Sequence, residues 1–128
     1  SLQDEIGESD QLPDWLAEEV YVQSLDGPVF FGFANRYREH CHAVKDVRAV
    51  IIRMERVPFM DQSGMVTLED VIKDWEKRGI FVYITGANEL IRESFEKVGL
   101  LPQVLSEEQF YASFEECVEA LKVEVVDL

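Results

Sequence analysis

Two short stretches carry most of the side chains that could do chemistry. The first is Met60-Asp61-Gln62-Ser63-Gly64, in which a carboxylate, a hydroxyl and a glycine fall within a few residues of each other. Asp61 has the residue type and the spacing of a helix N-cap, whose side chain accepts from a free N–H two or three residues on. Ser63 then falls in the first helical turn, where the dipole and the unspent N–H groups favour an anion. A phosphate on Ser63 is compatible with that position, although Asp61 would repel it. Gly64 leaves room for another group to approach the backbone. The second stretch is Thr85-Gly86-Ala87-Asn88, a turn ending in another N-cap residue. Met60, Asp61, Gln62, Ser63, Gly64, Thr85, Gly86 and Asn88 therefore form a candidate pair of loops for a protein partner or, weakly, a nucleotide. The plain alternative is that both stretches only start helices.

The remaining reactive residues do not assemble into a catalyst. His40 and His42 lie together without a carboxylate or cysteine at a metal-site spacing, and read as exposed helix residues. Cys41 and Cys117 fall on apolar stripes and read as reduced, buried thiols. Ser63 has no base at a telling spacing, and neither a Gly-x-Gly-x-x-Gly run nor a Walker loop occurs. The expectation is a protein that is not an enzyme, with no catalytic residue, no metal and no cofactor.

The elements that must position these loops follow from periodicity. Val20–Leu25 reads as a strand, Asp26-Gly27 as a hairpin turn and Pro28–Phe31 as a short antiparallel strand. Phe33, Ala34, Tyr37, Cys41 and Val44 recur at helical spacing. Val47–Met54 is an apolar strand of the kind buried on both faces. Met65, Leu68, Val71, Ile72 and Trp75 mark a second helix ending at Gly79, and Ile80–Ile84 is another buried strand. Asn88 opens a third helix through Leu90, Ile91, Phe95 and Val98, closed by Gly99. Val104-Leu105 is at most a short strand. Ser106 to Gln109 matches a capping box, with a fourth helix through Phe110, Phe114, Cys117, Val118 and Leu121. Apolar strands joined by helices imply parallel neighbours and right-handed crossovers. The fold class is α/β: a mixed, mostly parallel sheet of four to five strands with about four helices. Functional loops then sit at the carboxyl ends of the strands, which makes the two candidate stretches neighbours if their strands are adjacent.

Charge limits the partners. Twelve Lys and Arg against 26 Asp and Glu leave a net charge of −14, which excludes nucleic acid and adsorption to anionic lipid. No apolar run approaches the ~20 residues needed to cross a bilayer, so direct membrane insertion is not expected. Residues 1–17 read as an acidic leader or linker and 18–128 as one domain. Arg36, Arg38, Lys45, Arg48, Arg53 and Arg56 give the middle of the chain a basic excess, whereas the last helix is acidic.

The segments Asp26–Ala34, Val50–Met54 and Phe59–Gly64 make residues 18 to 122 resemble the STAS domain family (sulfate transporter and anti-sigma factor antagonist). Gly27–Gly32 followed by Ala34-Asn35-Arg36-Tyr37 is most similar to the C-terminal cytoplasmic domain of bacterial SulP-type sulfate permeases. The resemblance implies the STAS, anti-sigma factor antagonist-like fold, a right-handed β-α superhelix. It implies a non-catalytic regulatory domain, tethered to the inner membrane in the full-length protein. Its partners would be a cytosolic protein and the transporter's own membrane domain. The alternative branch is a free-standing anti-sigma factor antagonist, in which Ser63 matches the phosphoacceptor position. Gln62 and Met65 depart from that branch's pattern.

Overall fold

Alternation along the strands decides which side of the sheet each residue faces. The computed structural model describes residues 6–7, 12–28 and 34–127. Five strands line up in sequence order: β1 (Ile6–Gly7), β2 (Val20–Asp26), β3 (Ala49–Arg56), β4 (Phe81–Thr85) and β5 (Phe110–Tyr111). β2 to β5 are parallel, and β1 runs antiparallel to β2 with Ile6 opposite Leu25. Six α-helices are present among the described residues: α1 (Asp14–Ala17), α2 (Ala34–His42), α3 (Gln62–Lys77), α4 (Glu89–Lys97), α5 (Leu100–Gln103) and α6 (Phe114–Asp127).

The two sheet faces hold separate cores. Leu25, Val50, Ile52, Met54, Val82 and Ile84 point to one side, where α2 to α5 bury Tyr37, Leu68, Ile72, Trp75, Ile91, Phe95 and Leu100. Val20, Val22, Ala49, Ile51 and Tyr83 point to the other, under Leu16 of α1 and Phe114, Cys117 and Leu121 of α6. Adjacent positions of β3 are thus buried on opposite faces, the reason its sequence shows no apolar–polar alternation.

Several expectations are corrected. The antiparallel neighbour of β2 is β1, drawn from the stretch read as a leader. Leu12, just before α1, and Leu16 within it are buried in the second core with Val20 and Val22 of β2 and Phe114, Cys117 and Leu121 of α6. The strand expected at Pro28–Phe31 falls largely outside the described residues. Val104-Leu105 is not a strand: Gly99 takes φ 79°, α5 follows, and Leu105 is fully buried in the first core. The capping box at Ser106 forms, but it opens only a 3-10 turn, Glu107–Gln109. Gln109 then spends its side-chain amide N–H on Val82 O at 2.8 Å and its side-chain oxygen on Ser106 N–H, also at 2.8 Å. This anchors the turn to β4, and Phe110 continues as strand rather than helix. The helix count exceeds the expected four because α1 and α5 are too short to leave a periodic signature.

Candidate functional site

α3 starts at Gln62 because Asp61 stays extended (φ −81°, ψ 174°) and its Oδ1 accepts the Gly64 N–H at 2.7 Å. Ser63 is the second residue of the helix, half-exposed, and its carbonyl accepts the Thr67 hydroxyl at 2.8 Å. Ser63 lines a shallow hollow of about 280 Å³ with Arg38, Gln62, Val66 and Thr67. No His, Asp or Glu is among those lining residues, so no base adjoins the Ser63 hydroxyl there. Met60 is partly buried and packs on the first core, while Gln62 is exposed.

The two candidate loops meet. β3 and β4 are adjacent, with Arg53 opposite Thr85, so both loops leave the same edge. Asn88 joins them: its Oδ1 caps α4 by accepting the Ile91 N–H at 2.9 Å. Its Nδ2 donates to Val57 O at 3.3 Å and Pro58 O at 3.1 Å. One amide therefore starts a helix and holds the Pro58–Met60 loop in place.

Two residues expected at the binding surface are used internally. Gly64 is buried, with its N–H committed to Asp61, so it does not open the backbone to an outside group. Thr85 is fully buried, and its hydroxyl donates to the Glu55 carboxylate at 3.0 Å. Glu55 also accepts the Phe114 N–H at 3.2 Å, which places a carboxylate at the N-terminus of α6. Arg53 lies 3.7 Å from Glu55 and stacks over the Phe114 ring at 4.1 Å. Gly86 is at φ 66°, and a Cβ there would sit 2.3 Å from Glu55 Cγ. This cluster escapes a search for binding motifs. Its only trace in the sequence is two charged residues, Arg53 and Glu55, two apart at the end of an apolar strand.

Several other titratable groups lie outside the two loops. Burial pushes the Cys41 thiol up to about 11 and the Cys117 thiol up to about 12. Burial also raises Tyr37 and Tyr83, the latter while donating to Glu124 at 2.9 Å. His40 pairs with the Tyr21 hydroxyl, and His42 is exposed, 4.0 Å from Asp74. Among the described residues no group of three or more His, Cys, Asp or Glu is placed to hold a metal ion. None of the described helices is long and apolar enough to cross a membrane.

A sequential, mostly parallel sheet with a capped serine turn at its carboxyl edge is the architecture of the STAS domain family, and the chain belongs to that family: the STAS domain model matches residues 16–117. The fold agrees with that of the STAS domain of a SulP transporter from Vibrio cholerae, at a TM-score of 0.75 and 33% identity, covering 92% of this chain and 89% of that one. A sulfate transporter family protein from Wolinella succinogenes matches at a TM-score of 0.76 and 26% identity, covering 89% of this chain and 90% of that one. By sequence the chain is similar to the bicarbonate transporter BicA of Synechocystis, 29% identical over 66% of this chain but only 15% of the transporter. The chain thus spans under a fifth of that relative's length. The unphosphorylated anti-sigma factor antagonist SpoIIAA shares the fold, with a TM-score of 0.70 at 20% identity over 91% of this chain and 96% of that one.

Proposed function

We propose that this chain is the regulatory, protein-interaction domain of a SulP-type anion transporter, and that it acts without catalysis. In this reading it lies in the cytoplasm, tethered to the inner membrane in the full-length protein. The observation that supports it most is the 33% identity, over nearly the whole chain, to the STAS domain of a SulP transporter. The site agrees in kind: the half-exposed Ser63 hydroxyl and the exposed Gln62 amide at the carboxyl edge of the sheet suit recognition, and no base adjoins Ser63 in its hollow. The partners are a cytosolic protein and the transporter's membrane domain. The test is anion uptake by the full-length transporter with and without this domain, normalised to the amount in the membrane. Uptake or its regulation changes on removal of the domain; identical uptake in both refutes the reading.

A second reading is a free-standing anti-sigma factor antagonist controlled by phosphorylation of Ser63. The half-exposed position of Ser63 in the first turn of α3 favours it, since phosphate there meets unspent N–H groups. Incubation with candidate kinases followed by mass spectrometry tests it. Absence of label on Ser63, or partner binding unchanged in Ser63→Glu, rejects it.

A further inference from the structure

The seam between α2 and α3 contains a second, more apolar hollow of about 360 Å³. Cys41 and Val71, both buried, form its floor, and Arg38, Glu39, His42, Asp70 and Asp74 stand at its rim. Its walls are fixed in advance. The C-terminal carbonyls around the end of α2 are pinned to α3, Cys41 O by Trp75 Nε1 at 3.2 Å and Val44 O by Arg78 Nη1 at 2.8 Å. Midway along, Arg38 bonds Asp70 at 3.0 Å across the seam. Because the groove is already shaped, a ligand loses little affinity to ordering it. The Arg38–Asp70 pair is solvent-exposed on both sides, which makes it weak and open to exchange with an incoming cation. Arg38 also borders the Ser63 hollow, so the two depressions meet at this residue.

We propose that this seam is the docking groove for a basic, amphipathic segment of a partner polypeptide. An apolar side chain of the partner sits on Cys41 and Val71, while Lys or Arg reaches Asp70, Asp74 and Glu39. Charge complementarity selects the partner. Glu39, Asp70 and Asp74 share the rim with Arg38 and His42; Asp74 lies 3.2 Å from Arg78 and 4.0 Å from His42, yet three carboxylates against the two guanidiniums leave a local excess of the same sign as the chain's −14. Long-range attraction and local pairing then favour the same cationic partner and oppose an acidic one. Val66, exposed beside Ser63, continues the apolar strip toward the sheet edge. Ser63 to Asp74 covers twelve residues of α3, a length that a helix of about 12 residues matches. This inference rests on reading the domain as an interaction module, and it adds the surface and the chemistry of the partner.

The test is an NMR titration of the isotopically labelled chain with two helical probe peptides of about 12 residues. Both carry leucines at i, i+4 spacing; one is flanked by lysines and the other by glutamates. The lysine peptide shifts backbone resonances of α2 and of α3 from Ser63 to Asp74, binds at least about tenfold tighter than the glutamate peptide, and weakens with salt. Asp70→Lys combined with Asp74→Lys lowers that affinity by about tenfold. Glu39→Lys, at an exposed position, lowers it without touching the α2–α3 ion pairs. Equal binding of both peptides, no shift with either, or shifts confined to α6 overturns the proposal. In the full-length transporter, if removing the domain alters uptake but Asp70→Lys/Asp74→Lys does not, the groove is wrong and the module reading survives. If removal has no effect while the lysine peptide still binds the groove, the module reading is the one that fails.

Discussion

Gly86→Ala tests whether Glu55 couples the sheet edge to the last helix. The added Cβ lies 2.3 Å from Glu55 Cγ, 2.6 Å from Cδ and 3.0 Å from Cα, so the side chain must leave its place. Two losses follow. The left-handed backbone at φ 66° costs alanine about 1–2 kcal/mol. Expelling Glu55 removes the acceptor for Phe114 N–H, about 1 kcal/mol for a cap. It also leaves the buried Thr85 hydroxyl without its partner, about 1 kcal/mol more. The total is about 3–4 kcal/mol, on the order of 10 °C in Tm for a chain of this size. Urea unfolding followed by circular dichroism measures it. Glu55→Ala alone loses about 2 kcal/mol through the same two contacts. In the Glu55→Ala background Gly86→Ala costs mainly its backbone share, because the Cγ and Cδ it meets are gone. The double variant should therefore be about 2 kcal/mol more stable than the sum of the singles implies, because the Glu55 contacts are lost only once. Additivity within about 0.5 kcal/mol would mean that Gly86 and Glu55 act independently and that Glu55 does not link the sheet edge to α6.

Three further outcomes are expected. Asp61→Ala removes the only side-chain cap of α3 and destabilises by about 1 kcal/mol, read as a lower urea midpoint with an unchanged slope. Asn88→Ala loses the α4 cap and both bonds to the Pro58 loop, so it costs about 1–3 kcal/mol and speeds hydrogen exchange at the amides of Val57, Phe59 and Met60. Alkaline pH weakens the fold: Cys41 is pushed from an ordinary value near 9 to about 11, and Cys117 to about 12, both by burial. A folded pKa above the unfolded one means that stability is whole below pH 9 and is lost as pH rises through 11 and 12. The urea midpoint should fall across that window, and less so in Cys41→Ala/Cys117→Ala. At pH 8 both thiols should resist iodoacetamide until urea unfolds the chain.

The candidate site was readable where local chemistry alone settles conformation. Asp61 and Asn88 cap the helices that their types and spacing assign to them, because an N-cap bond spans only three residues. The apolar runs around Val50 and Val82 form adjacent parallel strands, because residues buried on both faces leave no other place for them. What the same local rules missed is instructive. The capping box at Ser106 is present, yet the helix it announces ends after one 3-10 turn, because Gln109 has a partner on β4. Thr85 reads from the sequence as part of a candidate binding loop, and only the pairing of β3 with β4 delivers Glu55 to it.

The alternation of strands and helices, the two capped loops and the acidic net charge follow from the amino-acid sequence alone. The assembled fold adds that Ile6–Gly7 joins the sheet, that Glu55 holds the N-terminus of α6, and that Arg38 and Asp70 meet 32 residues apart. Caps and periodicity are written within a few neighbouring residues. A contact between distant residues exists only after the sheet order fixes which strand ends and helix faces lie side by side.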